Sequence, residues 1–343
     1  MPDINVTDEA HLEDLLSTPL EADIQAMSKL RGDLLILGVG GKMGPSLARR
    51  ARRAADAAGI RKRVIAVARF SDPALPEALE RDGVEVIPGD LLATSVLDSL
   101  PDCENVIFMA ARKFGTSGQE SLTWAMNTYL PGRVAERFRN SRLVAFSTGN
   151  VYPLSPVVRG GSVETDPVAP VGEYAQSALG RERMFEHFSG LHGTPVTLLR
   201  LNYAIDLRYG ILVDIAQKVW DGQAVNVTMP AVNVIWQGDA NSVCIRSFAI
   251  AGSPLVKLNV TGPETVSVRW LASEFGQRFG KEVLIEGTEA QTALLSNAAR
   301  CYGHFGYPST SLYQMVDWVA AWVRNGCPTL GKPTKFEQRE GRF

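Results

Sequence analysis

A chain of 343 residues, 45% hydrophobic and 21% charged, is long enough to bury one large core or two smaller ones. Its 35 lysines and arginines against 37 aspartates and glutamates leave a net charge of -2, which excludes a whole-molecule field drawing the protein to nucleic acid or an anionic membrane, so a small-molecule partner is expected. Cys103, Cys244, Cys301 and Cys327 form no C-x-x-C pair and the four histidines have no ligand spacing, so no metal site is read and the thiols are expected to be reduced, in a cytoplasmic protein.

Residues 1–32 read as one or two short helices, a packed N-terminal extension with Leu12, Leu15 and Leu16 on one face and Ile24, Met27 and Leu30 on the next. Their start, MPDINVTDEAHLEDLL, has neither a basic leader nor a continuous apolar segment, and no apolar run in the chain approaches the ~18 residues of a membrane span. From Asp33 short apolar runs alternate with helical patterns: LLILGVG, a helix after Gly44, RVIAVARF, VEVIP, NVIFMAA, a long helix near 119–139, RLVAFST, a helix from Tyr174, and PVTLLRL. Near-continuous apolar strands separated by helices predict an α/β domain, a doubly wound parallel sheet over 33–205 with its ligand at the carboxyl ends of the strands. Beyond about residue 206 the rhythm becomes irregular, and residues 206–330 are expected to form mainly a smaller substrate-binding domain. Within it, 231–262 is expected to return to the sheet through the strand LVKLNV. The polar segment 331–343 is read as a loosely ordered tail.

The run LLILGVGGKMG places Gly38, Gly41 and Gly44 three apart, after a strand and before a helix. Glycines there allow positive φ and let backbone N–H groups approach a diphosphate, which the helix N-terminus also attracts, so the loop Gly38, Gly41, Lys42, Met43 and Gly44 is read as the cradle of a dinucleotide. Arg69 ends the second strand, where a domain preferring NAD presents a carboxylate. A guanidinium there matches a 2′-phosphate, so NADP is expected over NAD. Arg49, Arg50, Arg52 and Arg53 on the intervening helix are read as a solvated face.

With these residues in place, the chain resembles the extended short-chain dehydrogenase/reductase family, which contains NAD-dependent epimerases and dehydratases of sugar nucleotides. The likeness runs from about Asp33 to Arg200 and more loosely to about 325. It rests on GVGGKMG; on PGDLLATSVLDSL, where Asp90 and Leu91 are similar to the pair that holds adenine; on VIFMAARK, where Ala110 and Ala111 resemble the small residues lining the cofactor; and on Asn127, at the place of a helix asparagine. AFSTGNVYP resembles the segment with the catalytic Ser/Thr, here Thr148, and EYAQSALGRERMFE supplies Tyr174. The resemblance implies that the tyrosine hydroxyl exchanges a proton with substrate oxygen while hydride moves to or from nicotinamide.

The family's lysine, four residues after the tyrosine, is Ala178 here. Such a cation contributes roughly 3 to 4 kcal/mol to holding a phenolate, and without it the tyrosine stays an acid and a poor base at neutral pH. Arg181, seven residues on, and Lys113, after the Ala110–Ala111 pair, are the two substitutes in view, and the positive charge of oxidised nicotinamide is a third source of field. Against these stand a surface ion pair of Arg181 with Glu182 or Glu186 and a solvated loop position for Lys113. On the substrate side, Asn150, Asn202, Tyr203 and Arg208 are candidates, with a structural salt bridge the alternative for Arg208; Asp239, in VIWQGDAN, is read as structural. The resemblance also implies a homodimer pairing through the helices of Asn127 and Tyr174. Two functions follow: an NAD(P)-dependent oxidoreductase, epimerase or dehydratase acting on a carbohydrate-like hydroxylated molecule, or a catalytically impaired dinucleotide-binding sensor or partner subunit.

Overall fold

The computed structural model describes residues 6–341 apart from 114, 116 and 117, so the first five residues of the expected extension and the last two of the expected tail lie outside the described residues. Seven strands, β1 Leu34–Leu37, β2 Val64–Ala68, β3 Glu85–Pro88, β4 Asn105–Phe108, β5 Arg142–Thr148, β6 Val196–Leu201 and β7 Val256–Val260, form one parallel sheet in the order β7-β6-β5-β4-β1-β2-β3. β1 lies between β2 and β4, with Leu37 opposite both Val67 and Phe108. The strands read as unbroken apolar runs because helices cover both faces: Ile36, Ala66, Ile107 and Val144 enter one core, and Leu35, Val67, Phe108 and Ala145 the other. The chain reverses its direction of travel across the sheet between β1 and β4, which opens a crevice at their carboxyl ends.

Two helices, α1 Glu9–Ser17 and α2 Glu21–Lys29, precede the sheet and pack on α3, Gly44–Ala57. This corrects the reading of the α3 arginines as a solvated face. Arg50 is 3% exposed and pairs at 2.6 Å with the fully buried Asp23 of α2, while Arg49 pairs with Glu13 and Arg53 with Asp14, both on α1. Leu12, Leu16 and Met27 are buried beneath them.

The irregular rhythm after residue 206 conceals two helices, Ile211–Trp220 and Gln237–Arg246, the second opening on the QGDAN stretch. Asp239 lies in its first turn and accepts hydrogen bonds from Ser309 and Thr310, tying a distant loop to the helix. Together with Val268–Phe279 and Leu312–Arg324, the Ile211–Trp220 helix encloses a separate apolar core beside the sheet. The tail is not loose over its described part. Phe336 is buried in that core, Thr334 donates twice to Asp214, and Arg339 donates to Thr228 and Thr292. Among the described residues no helix is long and apolar enough to cross a membrane.

Candidate active site

The crevice is built by the turn after β1. Gly38 has φ of 93°, and a Cβ there would lie 2.5 Å from the backbone nitrogen of Ala110, at the end of β4. A side chain is therefore excluded both by conformation and by the close approach of the two strand ends. Gly41 is exposed, and α3 begins at Gly44 behind Met43, which offers no side-chain cap to the first N–H groups of the helix. Open glycine backbone and uncapped helical N–H groups fit a diphosphate. Around the same crevice stand the exposed Arg69 after β2, Leu91 buried after β3, Asp90 turned to the backbone N–H of Leu92, and Ala110 with Ala111 after β4.

Thr148 ends β5, and its Oγ1 accepts from the backbone N and the Nδ2 of Asn150 at 3.2 and 3.0 Å. Tyr174, in the first turn of the Gly172–His192 helix, lies beside Thr148 and is 8% exposed. Burial pushes its phenol above the ordinary value, while the Arg181 charge and the Thr148 hydroxyl pull it back.

Arg181, two turns along the same helix, is 2% exposed, which corrects the expected surface ion pair. Its Nη1 donates to the carbonyl of Phe146 at 2.8 Å and its Nη2 to Oδ1 of Asn127 at 3.0 Å, while its buried Nε meets no acceptor. The neighbouring acids are engaged elsewhere: Glu182 with Arg200 and Ser147, Glu186 with Arg183 and Lys257. Burial lowers the Arg181 pKa, and the charges of Tyr174 and Glu182 oppose that shift. Ala178 is fully buried against Val151 and Tyr152.

Asn127 reaches Arg181 from a wide π-helical turn, Ala125–Tyr129, inside the long helix expected near 119–139. Pro131 has no N–H to give the carbonyl of Asn127 and its ring crowds that carbonyl, which accounts for the widening. The Asn127 amide donates to the carbonyl of Arg112 and to Ser177 Oγ, and its oxygen accepts the Arg112 N–H. The loop after β4 is thereby pinned to the Tyr174 helix.

Two of the substrate candidates prove structural. Asn202 is buried, its amide donating to Asn233 and to the carbonyl of Leu294. Arg208 is drawn away by three carboxylates, Glu9, Glu13 and Asp206, so that it clamps α1 and is not a free cation at a pocket mouth. Tyr203, at φ of 46°, has its phenol pushed up by burial and by the charges of Glu337 and Tyr209. Lys113 is not a solvated loop lysine: it is half-buried, with Nζ 6.0 Å from the centre of the Tyr174 ring and its pKa brought down to about 8 by burial. Lys42, read above only as part of the glycine loop, sends its ammonium to the carbonyl of Ala204 at 2.9 Å and over the Tyr209 ring at 4.7 Å. The sequence carries no local signal for Tyr209, which enters the site from the turn before the Ile211–Trp220 helix.

Residues 34–204 match the model of the NAD dependent epimerase/dehydratase family. No curated protein matches the sequence. Among solved structures, UDP-glucuronic acid 4-epimerase from Bacillus cereus in complex with UDP-glucuronic acid and NAD is similar at 16% identity and a TM-score of 0.71, over 85% of this chain and 99% of that one. UDP-glucose 4-epimerase from Thermus thermophilus with NAD is 17% identical with a TM-score of 0.68, over 85% and 99% of the two chains. UDP-glucose 4-epimerase from Thermotoga maritima with UDP-glucose is 15% identical with a TM-score of 0.68, over 86% and 99%. At these identities the likeness is one of fold.

Proposed function

Over residues 34–204 this chain belongs to the NAD dependent epimerase/dehydratase family, and we propose that it binds NAD(P) and works as an epimerase, dehydratase or related oxidoreductase on a carbohydrate-like hydroxylated small molecule. The observation that carries this reading is the buried phenol of Tyr174 beside Thr148 at the end of β5, on the carboxyl side of the sheet with the glycine crevice. The similar epimerases were crystallised with NAD or UDP-sugars, which supports a sugar-like substrate.

The backbone from Gly38 to Gly44 would hold the diphosphate, Asp90 and Leu91 the adenine end, and Ala110 and Ala111 the wall beyond. When bound, the dinucleotide supplies the hydride acceptor and donor. Thr148 orients the reacting hydroxyl through Oγ1, with Asn150 beside it. Tyr174 gives or takes the proton at its phenol oxygen. Arg181 takes the electrical role of the missing lysine, since a buried cation close to the phenol favours the phenolate. Arg69 favours a 2′-phosphate, hence NADP. The helices bearing Asn127 and Tyr174 pack side by side and leave Leu122, Trp124, Tyr129 and Leu191 exposed, which supports pairing of two copies through this face in a homodimer.

Ala178 and the raised phenol pKa favour one alternative, a dinucleotide-binding sensor or partner subunit. Incubation of the NAD(P)-loaded protein with a panel of sugars and sugar acids, read at 340 nm, separates the two. The enzyme reading expects reduction by at least one compound and a loss of at least about a hundredfold in Tyr174→Phe with cofactor affinity retained. Tight cofactor binding without reduction by any of the panel would establish the sensor instead.

A further inference from the structure

The segment from Thr334 to Gly341 lies across the seam between the second core and the helix that carries Tyr174. It is fixed first on the side of that core. Thr334 donates to Asp214, in the Ile211–Trp220 helix, from its N–H at 2.8 Å and from its hydroxyl at 2.6 Å, and Phe336 is buried among the apolar side chains. Lys335 between them takes φ of 54°, a left-handed bend that a lysine keeps where the residues on both sides are held. Arg339 then reaches two further loops, its Nη1 donating to the carbonyls of Thr292 at 2.8 Å and Thr228 at 3.3 Å and its Nη2 to Thr292 Oγ1 at 2.6 Å. Thr292 is itself paired with Pro156, on the connection that runs from Thr148 to Tyr174.

The far end of the segment meets the Tyr174 helix. Gly341, at φ of 71°, and Gly172, at φ of 82°, touch backbone to backbone. A Cβ on Gly172 would run into the carbonyl oxygen of Gly341, and one on Gly341 into that of Val171, so the contact exists because neither residue has a side chain. Gly172 opens the helix whose first turn holds Tyr174. Along the way the charge of Glu337 is felt by Tyr203, and that of Lys335 by Lys113, whose Nζ stands over the Tyr174 ring.

Tyr174 is covered here, and a substrate hydroxyl reaches its phenol only after a covering element moves. The turn bearing Tyr209 is tied through Asp206, and through Arg208 to Glu9 and Glu13, while the loop after β4 is tied at Arg112 by both groups of the Asn127 amide. Within the segment Thr334 and Phe336 are buried, whereas Gln338 is exposed and Arg339 and Gly341 half-buried. Local opening is cheapest where so little surface is buried.

We propose that residues 334–341 form a strap over the substrate crevice, hinged at Thr334 and Phe336 and latched by Gly341 on the first turn of the Tyr174 helix, which lifts to admit the substrate and lies down to keep water from the reacting groups. This rests on the proposed function and goes beyond it, by making substrate entry depend on a contact between two glycines outside the reacting pair.

The test is the quenching of bound NAD(P)H fluorescence by acrylamide, a small neutral probe that enters through the crevice. It compares the full chain with Gly341→Ala and with a chain lacking residues 339–343, both of which keep Thr334 and Phe336. The full chain is expected to shield the cofactor, and each variant to raise the quenching constant by at least about threefold, with cofactor affinity within about twofold and an unchanged denaturation midpoint. Hydrogen exchange in the full chain should be at least about tenfold faster at 338–341 than at 334–336. Equal quenching in the full chain and either variant, a rise matched by lost cofactor affinity or lost stability, or tip amides that exchange no faster than the hinge overturns the inference. Bound cofactor already open to acrylamide in the full chain removes the strap alone, whereas failure to bind either cofactor removes the proposed function and the strap with it.

Discussion

Arg181 and Asn127 are joined inside the protein by a 3.0 Å hydrogen bond from Nη2 to Oδ1, between two helices that also meet at Thr128 and Ser177. The bond holds a buried guanidinium between the Tyr174 helix and the Asn127 helix, against the Phe146 carbonyl at the end of β5. Gly180 permits the approach, since a Cβ there would press on the Thr128 hydroxyl at 2.5 Å.

If Arg181 supplies the field at Tyr174, Arg181→Met should lower the rate of cofactor reduction by about ten- to a hundredfold, the scale of one to two pKa units. KM should change little. Arg181→Lys should recover part of the rate and also part of the pH profile. A profile for Arg181→Met that is displaced only in height would assign Arg181 a purely structural part.

The pH dependence has a definite sign. Burial raises the Tyr174 pKa above its ordinary value of 10.0, so the neutral phenol dominates across the physiological range. Oxidation of a substrate hydroxyl needs the phenolate, and single-turnover reduction of bound cofactor should rise about tenfold per pH unit from 7 to 9 without a plateau. The reverse reaction, with the phenol as acid, should be flat over that range. Linkage runs the same way: a group whose folded pKa is raised contributes its stability below its unfolded pKa near 10 and loses it as pH climbs through the folded value.

Restoring the expected lysine should fail. Ala178 is fully buried against Val151 and Tyr152, so Ala178→Lys overfills that contact and is expected to cost about 1–3 kcal/mol in chemical denaturation. It should bring no gain in turnover if, as proposed, Arg181 supplies the field at Tyr174. A faster Ala178→Lys enzyme of unchanged stability would contradict this.

Beneath Thr148 lies a second buried pair, Arg200 with Glu182 at 2.6 Å, completed by Ser147 and by Tyr152, whose hydroxyl donates to Asn259. Glu182→Gln alone leaves a buried guanidinium without its counter-charge and should destabilise by about 3–5 kcal/mol in denaturant melts. The double replacement Glu182→Leu with Arg200→Met should recover most of that loss, since both charges then leave together.

Arg69 is exposed, and its effect on cofactor choice is expected to be modest and sensitive to salt. Arg69→Ala should weaken NADPH by about tenfold in fluorescence titration and leave NADH within about twofold. Equal affinity of the native protein for the two cofactors would remove the argument.

The sheet was legible from the sequence because its signals are local: apolar runs of strand length, helical periods between them, and Gly38 at a turn whose φ of 93° favours glycine. The pairing of Tyr174 with Thr148 could be anticipated only through the resemblance, since the two are 26 residues apart and meet by way of the sheet. The helix Ile211–Trp220 does carry a helical pattern, with Asp214, Gln217 and Lys218 on one face and Ile211, Leu212, Ile215, Ala216 and Val219 buried in the second core, a signal that the irregular segments on either side of it obscured.

What the sequence by itself determined about this protein is its α/β class, the place of its glycine loop and the absence of a lysine at Ala178, all properties of chemistry or of spacing within a few turns of chain. Only the tertiary structure decided what the cations do. Arg50 faces Asp23, 27 residues away, Arg208 faces Glu13, 195 residues away, and Arg181 is enclosed by Asn127 and the Phe146 carbonyl from other elements. A charged side chain carries the same letter whether water or a carboxylate surrounds it, and which one does so is fixed by segments that fold against it from elsewhere in the chain.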